Sequence, residues 1–262
     1  MVAGKGAIGR FFYPCRFPRR YPLSLPLVTR GEPDKVAARR ESAPLRTGAR
    51  IAVQGFFVTG TDTDIGKTVV SAWLTTHLGA KYWKPVQAGI EGETDTQKVT
   101  RLAELSADRV VPETYVLPDP LSPHEAARRA ETEIDLTTFK LPETDDFIVV
   151  EGAGGLLVPL NDSELVADLA EDLHLPLIVV ARSGLGTINH TLLTLEAARR
   201  RGLTIAGVIM VGPEMPHNRA AIERYGKTQV IAEIPLFETL DHAALRAIQP
   251  ELDLTKLAQI TQ

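Results

Sequence analysis

An α/β fold, with a mainly parallel central sheet and helices on both faces, is what this sequence predicts, and three observations carry that expectation. Short apolar runs at 56–58, 147–150, 177–181, 205–211 and 230–234 read as buried strands. Segments of helical spacing lie between them, and glycine-containing turns follow several of the strands. Strands alternating with helices of about 10–15 residues indicate a parallel sheet covered on both sides.

The first element is the most informative. Phe56, Phe57 and Val58 run into Thr59-Gly60-Thr61-Asp62-Thr63-Asp64-Ile65-Gly66-Lys67-Thr68, after which Val69, Val70, Trp73, Leu74 and Leu78 recur at helical spacing. Strand, glycine-bounded loop and helix in this order form a phosphate-binding loop, so the fold class becomes P-loop NTPase-like. Such a loop wraps backbone N–H groups around phosphates and aims a helix N-terminus at them. Lys67 supplies a counter-charge and the Thr68 hydroxyl a ligand for magnesium. Five residues separate Gly60 from Gly66, one more than in the generic motif.

Lys81 through Gly89 reads as a second short strand entering a turn, with Lys84 at the strand's carboxyl end, where ligands collect in open parallel sheets. An acidic stretch, Glu91 to Thr96, leads into a helix through Leu105. Ser122-Pro123-His124 opens another helix, with proline one residue inside the N-cap. The strand at 147–150 closes on Glu151-Gly152-Ala153-Gly154-Gly155, a carboxylate followed by a glycine-rich loop, as magnesium-binding acids of nucleotide enzymes are placed. The strand at 177–181 enters Gly184 to His190 and a helix through Arg200. With acids at 91, 93 and 95, Asp95 also reads as an ordinary acid of a helix N-terminus.

Composition bounds the remainder. With 262 residues, 44% of them hydrophobic, the chain suffices for one sizeable core, placed over residues 51–262. Cys15 is the single cysteine, which excludes an internal disulfide and a cysteine-based zinc cluster and fits a reducing compartment. No apolar run reaches membrane-spanning length. Residues 1–50 hold 11 of the 29 Lys+Arg and 3 of the 33 Asp+Glu, leaving the rest at −12, which argues against nucleic-acid binding by the folded part. That basic, proline- and arginine-rich segment has no sustained periodicity and is expected to be disordered. It resembles an organellar transit peptide short of serines; an upstream-extended reading frame, with the protein in the cytoplasm, is the expectation adopted. Deleting residues 1–49 is expected to leave turnover and melting temperature essentially unchanged, and a clear loss of either contradicts this reading.

The stretches GTDTDIGKT, KPVQAG, SPH, VVEGAGGLLVPL, GLGTINHTLLT and AEIPLF, in this order from Phe56 to about Leu240, resemble the dethiobiotin synthetase family. The resemblance implies an ATP-dependent ligase that joins 7,8-diaminononanoate and CO2 into the ureido ring of dethiobiotin, as a homodimer. It implies Thr68, Asp95 and Glu151 as Mg2+ ligands, with Lys67 and Lys84 as the phosphate and catalytic lysines. ATP would be lined by Thr63, Asp64, Ile65, Gly66, Lys67 and Thr68, by Glu151, Gly152, Ala153 and Gly154, and by Val211, Gly212, Pro235, Leu236 and Phe237. Gly186, Thr187, Ile188 and Asn189 would offer N–H groups to the substrate carboxylate across the dimer interface, and Ala88 would adjoin the substrate. Two positions depart from the family: Ala88 stands where a Ser or Thr is common, and Val211 where an Asn reads adenine. The alternative is a partitioning or regulatory ATPase switch. Those proteins generally carry an extra Lys early in the loop, where this chain has Thr61 to Asp64. Residues Ala243–Gln262 also lack a basic or amphipathic membrane-targeting pattern.

Overall fold

The computed structural model describes residues 53–259, and the predicted extension over 1–50 lies outside them. In chain order the strands are β1 (Gly55–Gly60), β2 (Lys81–Trp83), β3 (Val86–Ala88), β4 (Val110–Val111), β5 (Tyr115–Leu117), β6 (Ile148–Gly155), β7 (Leu177–Arg182), β8 (Ile205–Val211) and β9 (Val230–Ile234). The helices are α1 (Lys67–Leu78), α2 (Asp95–Leu102), α3 (Pro123–Arg129), α4 (Val166–Leu173), α5 (Thr187–Arg200), α6 (Pro216–Gly226), α7 (His242–Ala247) and α8 (Leu254–Leu257).

Seven strands form one sheet in the order β4-β2-β6-β1-β7-β8-β9, and every pairing in it is parallel. β1 is central and buried along its whole length, as the apolar run at its start demands. Alternation along the strands sorts side chains between two faces. Phe56, Val58, Val149, Ile178 and Ile209 face a core shared with α1, α2, α7 and α8. Phe57, Ile148 and Val150 face the opposite layer with α3 and α4. Val179, Val208 and Met210 pack against Leu195 of α5 and Ile222 of α6. Helices therefore cover both faces, as the alternating pattern predicts.

Three sequence expectations need correction. The segment at 81–89 is two strands, because Pro85 has no N–H to continue the ladder. The chain turns out of the main sheet there, and β3 pairs with β5 in a separate parallel ribbon. The helix expected through Leu105 stops at Leu102. Glu151 to Gly154 is not a loop: β6 continues to Gly155, which pairs with Gly60 after a register shift between Val58 and Gly60. That irregularity brings the glycine-rich end of β6 alongside the start of the phosphate loop. Among the described residues, no helix is long and apolar enough to cross a membrane.

Candidate active site

The phosphate loop leaves the carboxyl end of the central strand, where ligands collect in parallel sheets. Gly66 caps α1 in the left-handed region, at φ 97°. A side chain there would be strained, and a Cβ would also come within 3.1 Å of Val211. The first helical residue is Lys67, buried, with its Nζ donating to the Asp62 carbonyl at 3.0 Å. Burial lowers the Lys67 pKa below the usual lysine value, and the neighbouring Lys84 charge pushes it the same way. Both effects make an approaching anion a favourable partner for this ammonium.

Beside Lys67 four side chains converge from four elements. Thr68 comes from the first turn of α1, Asp95 from the first position of α2, Lys84 from just beyond β2 and Glu151 from within β6. Thr94 and Gln97 close a capping box that fixes the start of α2, and so the direction of Asp95. Thr68 Oγ1 lies 2.8 Å from Asp95 Oδ1 and 3.0 Å from Glu151 Oε1; its single proton serves one of them at a time. Lys84 Nζ sits 2.7 Å from Asp95 Oδ2, 3.0 Å from Glu151 Oε1 and 3.2 Å from the Gly152 carbonyl.

The charges of this cluster hold one another in place. Burial alone would lower the Lys84 pKa, but Glu151 and Asp95 outweigh it and leave the pKa above the usual lysine value. For Asp95, burial pushes the carboxyl up while Lys84 and the Thr68 hydroxyl pull it down, and the net shift is downward. Asp95 is thus both the ordinary helix N-terminal acid and a member of the cluster. Tyr82, which the sequence reading passed over, donates to Glu151 Oε2 at 2.9 Å. Its phenol is fully buried, and burial together with the Glu151 charge raises its pKa well above the usual value, so it remains a donor. Gln87, likewise missed, accepts from the Asp95 N–H at 3.3 Å and donates to the Gly89 carbonyl at 2.8 Å.

A cavity of about 450 Å³ adjoins the loop. It brings together Asp64, Ile65 and Gly66 with Val211, Gly212, Pro235, Leu236 and Phe237, all expected nucleotide contacts. Arg182, Ser183 and Pro213 also line it and were not anticipated. Gly212 is required in this wall, because at φ 130° a Cβ would lie 2.4 Å from Ser183 Oγ. Asn218 braces the same corner, donating to the Ser183 carbonyl at 2.8 Å.

Val211 presents only methyl groups to the cavity, whereas a site that hydrogen-bonds a base edge discriminates far better than an apolar one. The expected result is relaxed base selectivity, with GTP or CTP replacing ATP at a cost of about 1–2 kcal/mol. Comparing kcat/KM for the three nucleotides in the parent and in Val211→Asn checks it. Strict ATP preference, unaltered by the substitution, contradicts it.

The expected substrate residues lie apart from this cavity. Ala88 ends β3, and its carbonyl accepts from Gln87 Nε2 at 3.3 Å. Gly186 caps α5 in the left-handed region. Behind it Thr187 is buried, its hydroxyl 3.4 Å from that of Thr191. Asn189 and the neighbouring Leu185 are exposed. Thr63 lies within the phosphate loop and its hydroxyl faces Gly154, which Ala153 precedes in β6.

Comparison with known proteins adds four findings. A family model described as an AAA domain matches residues 54–244. The ATP-dependent dethiobiotin synthetase BioD of Paramagnetospirillum magneticum is 54% identical over 198 residues, 76% of this chain and 96% of its own. The protein of the same name from Rhodopseudomonas palustris is 48% identical over 190 residues, 72% of this chain and 90% of its own. Among solved structures, the cell division ATPase MinD of Pyrococcus furiosus aligns with a TM-score of 0.46 and 16% identity, over 79% of this chain and 98% of its own.

Proposed function

The chain belongs to the dethiobiotin synthetase family of ATP-dependent ligases in biotin biosynthesis, and from that premise we propose that its site closes the ureido ring of dethiobiotin from 7,8-diaminononanoate and CO2, releasing ADP and phosphate. The observation that carries this reading is the convergence of Lys84, Thr68, Asp95 and Glu151 beside Lys67 at the phosphate loop.

The donor set suits Mg2+. Thr68, Asp95 and Glu151 offer hard oxygens, which magnesium prefers, and it is typically held by one or two carboxylates plus phosphate and water. Thr68 Oγ1 lies within 3.0 Å of an oxygen of each carboxylate, so these three side chains would hold the ion together. Bound there, the ion would supply positive charge against the phosphate oxygens.

In the proposed reaction one amine, carbamylated by CO2, attacks the γ-phosphorus through a carbamate oxygen, and ADP leaves. The second amine then attacks the resulting mixed anhydride at carbon, closing the ring and expelling phosphate. No protein nucleophile is required. Lys67 leaves the Asp62 carbonyl for the phosphates, and Lys84, held by Asp95 and Glu151, faces the charge that develops on the transferred group. We further propose a homodimer in which the start of α5, where Gly186 and Asn189 are exposed, meets the substrate carboxylate of the partner's site, since a helix N-terminus favours an anion.

Growth of a biotin auxotroph lacking this step, restored by the gene and not by its Lys67→Ala variant, tests the assignment. Failure of the parent gene, with the protein expressed and folded, contradicts it.

A further inference from the structure

Asp62 puts a carboxylate in the phosphate loop, two residues after Gly60, where its negative charge works against a polyanionic ligand. Three contacts engage it. Its Oδ1 accepts from the Thr63 N–H at 2.8 Å, its carbonyl accepts from Lys67 Nζ at 3.0 Å, and its Oδ2 accepts from Arg182 at 2.6 Å. Arg182 is the last residue of β7, the strand beside β1, and it lines the nucleotide cavity. The side chains of the pair are 47% and 52% exposed, and ion pairs so exposed contribute little to folding. What distinguishes this one is its place between the phosphate loop and the nucleotide cavity.

We propose that Arg182 is a positioning residue for the nucleotide, acting through Asp62: it neutralises this one of the loop's two carboxylates and holds it turned toward β7, so that the loop can receive phosphates. The inference rests on the ATP reading of this site. It makes an asymmetric claim. Loss of Arg182 leaves a bare carboxylate at the anion site, whereas loss of the Asp62 charge removes the obstacle that Arg182 offsets. A strut that merely fixed the loop would suffer equally from either loss.

The test compares the parent, Arg182→Ala, Asp62→Asn and the double variant, measuring KM for ATP and kcat, with melting temperatures confirming that all four fold. Arg182→Ala is expected to raise KM about tenfold, the scale of one uncompensated charge near the protein surface, with kcat within about twofold. Asp62→Asn is expected to lower KM, and the double variant to return most of the way to the parent. The penalty in Arg182→Ala should shrink as salt is added, because these side chains are accessible to screening ions. Equal KM increases in both single variants, a double variant as weak as Arg182→Ala, or an unchanged KM in Arg182→Ala each overturns the proposal. A parent that binds no ATP overturns the nucleotide reading itself, and this inference with it.

Discussion

Replacing Lys67 by Ala is expected to slow the ATP-dependent reaction by roughly a hundredfold or more, about 3 kcal/mol of lost transition-state stabilisation. Lys67 opens α1 behind Gly66, is almost wholly buried, and rests on the Asp62 carbonyl. A buried ammonium with so weak a partner gains most when an anionic phosphate arrives, and more as charge grows during transfer. Alanine removes that charge while keeping a good helix former at the start of α1. Single-turnover rates and nucleotide affinity, measured together, check the prediction; near-normal turnover contradicts the phosphate-loop assignment.

Lys84→Gln is expected to lower turnover more than it weakens ATP binding, and to destabilise the fold as well. Lys84 is 3% exposed and lies against Glu151, which is 1% exposed. Removing one partner of such a buried pair costs about 3–5 kcal/mol, because the remaining charge stays without its counter-ion. For a domain of this size that corresponds to a fall in melting temperature of about ten degrees. The catalytic effect should appear in kcat, since the charge matters most where charge develops. Kinetics, nucleotide titration and thermal unfolding separate the three effects. ATP affinity falling in step with rate would make Lys84 a simple binding contact, and an unchanged melting temperature would contradict the buried-pair argument.

The parts of this site legible in the sequence are those built from local pattern. Phe56 to Thr68 declared itself because an apolar strand, two spaced glycines and a Lys-Thr pair all lie within one short stretch. β6 was legible to Glu151 and misread beyond it. Glycines ordinarily end strands, yet here Gly155 pairs with Gly60, and only the neighbouring strand supplies the reason. Tyr82 was discoverable, since it alternates with Lys84 along one chain direction and so points to the same side. The pairing of Lys84 with Asp95 and Glu151 depends on three elements meeting, which no local pattern states. The Arg182–Asp62 pair joins residues 120 positions apart and is visible only after β7 is placed beside β1. The cavity wall at Pro235 to Phe237 was expected from family resemblance alone, whereas Ser183 and Asn218 gave no signal at all.

The most direct measurement incubates the purified chain with MgATP, 7,8-diaminononanoate and bicarbonate, following dethiobiotin by mass spectrometry and ADP and phosphate by coupled assay. The predicted result is one dethiobiotin formed per ADP and phosphate released, with all three abolished when the diamine is omitted. ATP hydrolysis that proceeds without the diamine and yields no dethiobiotin would contradict the account and favour an ATPase switch.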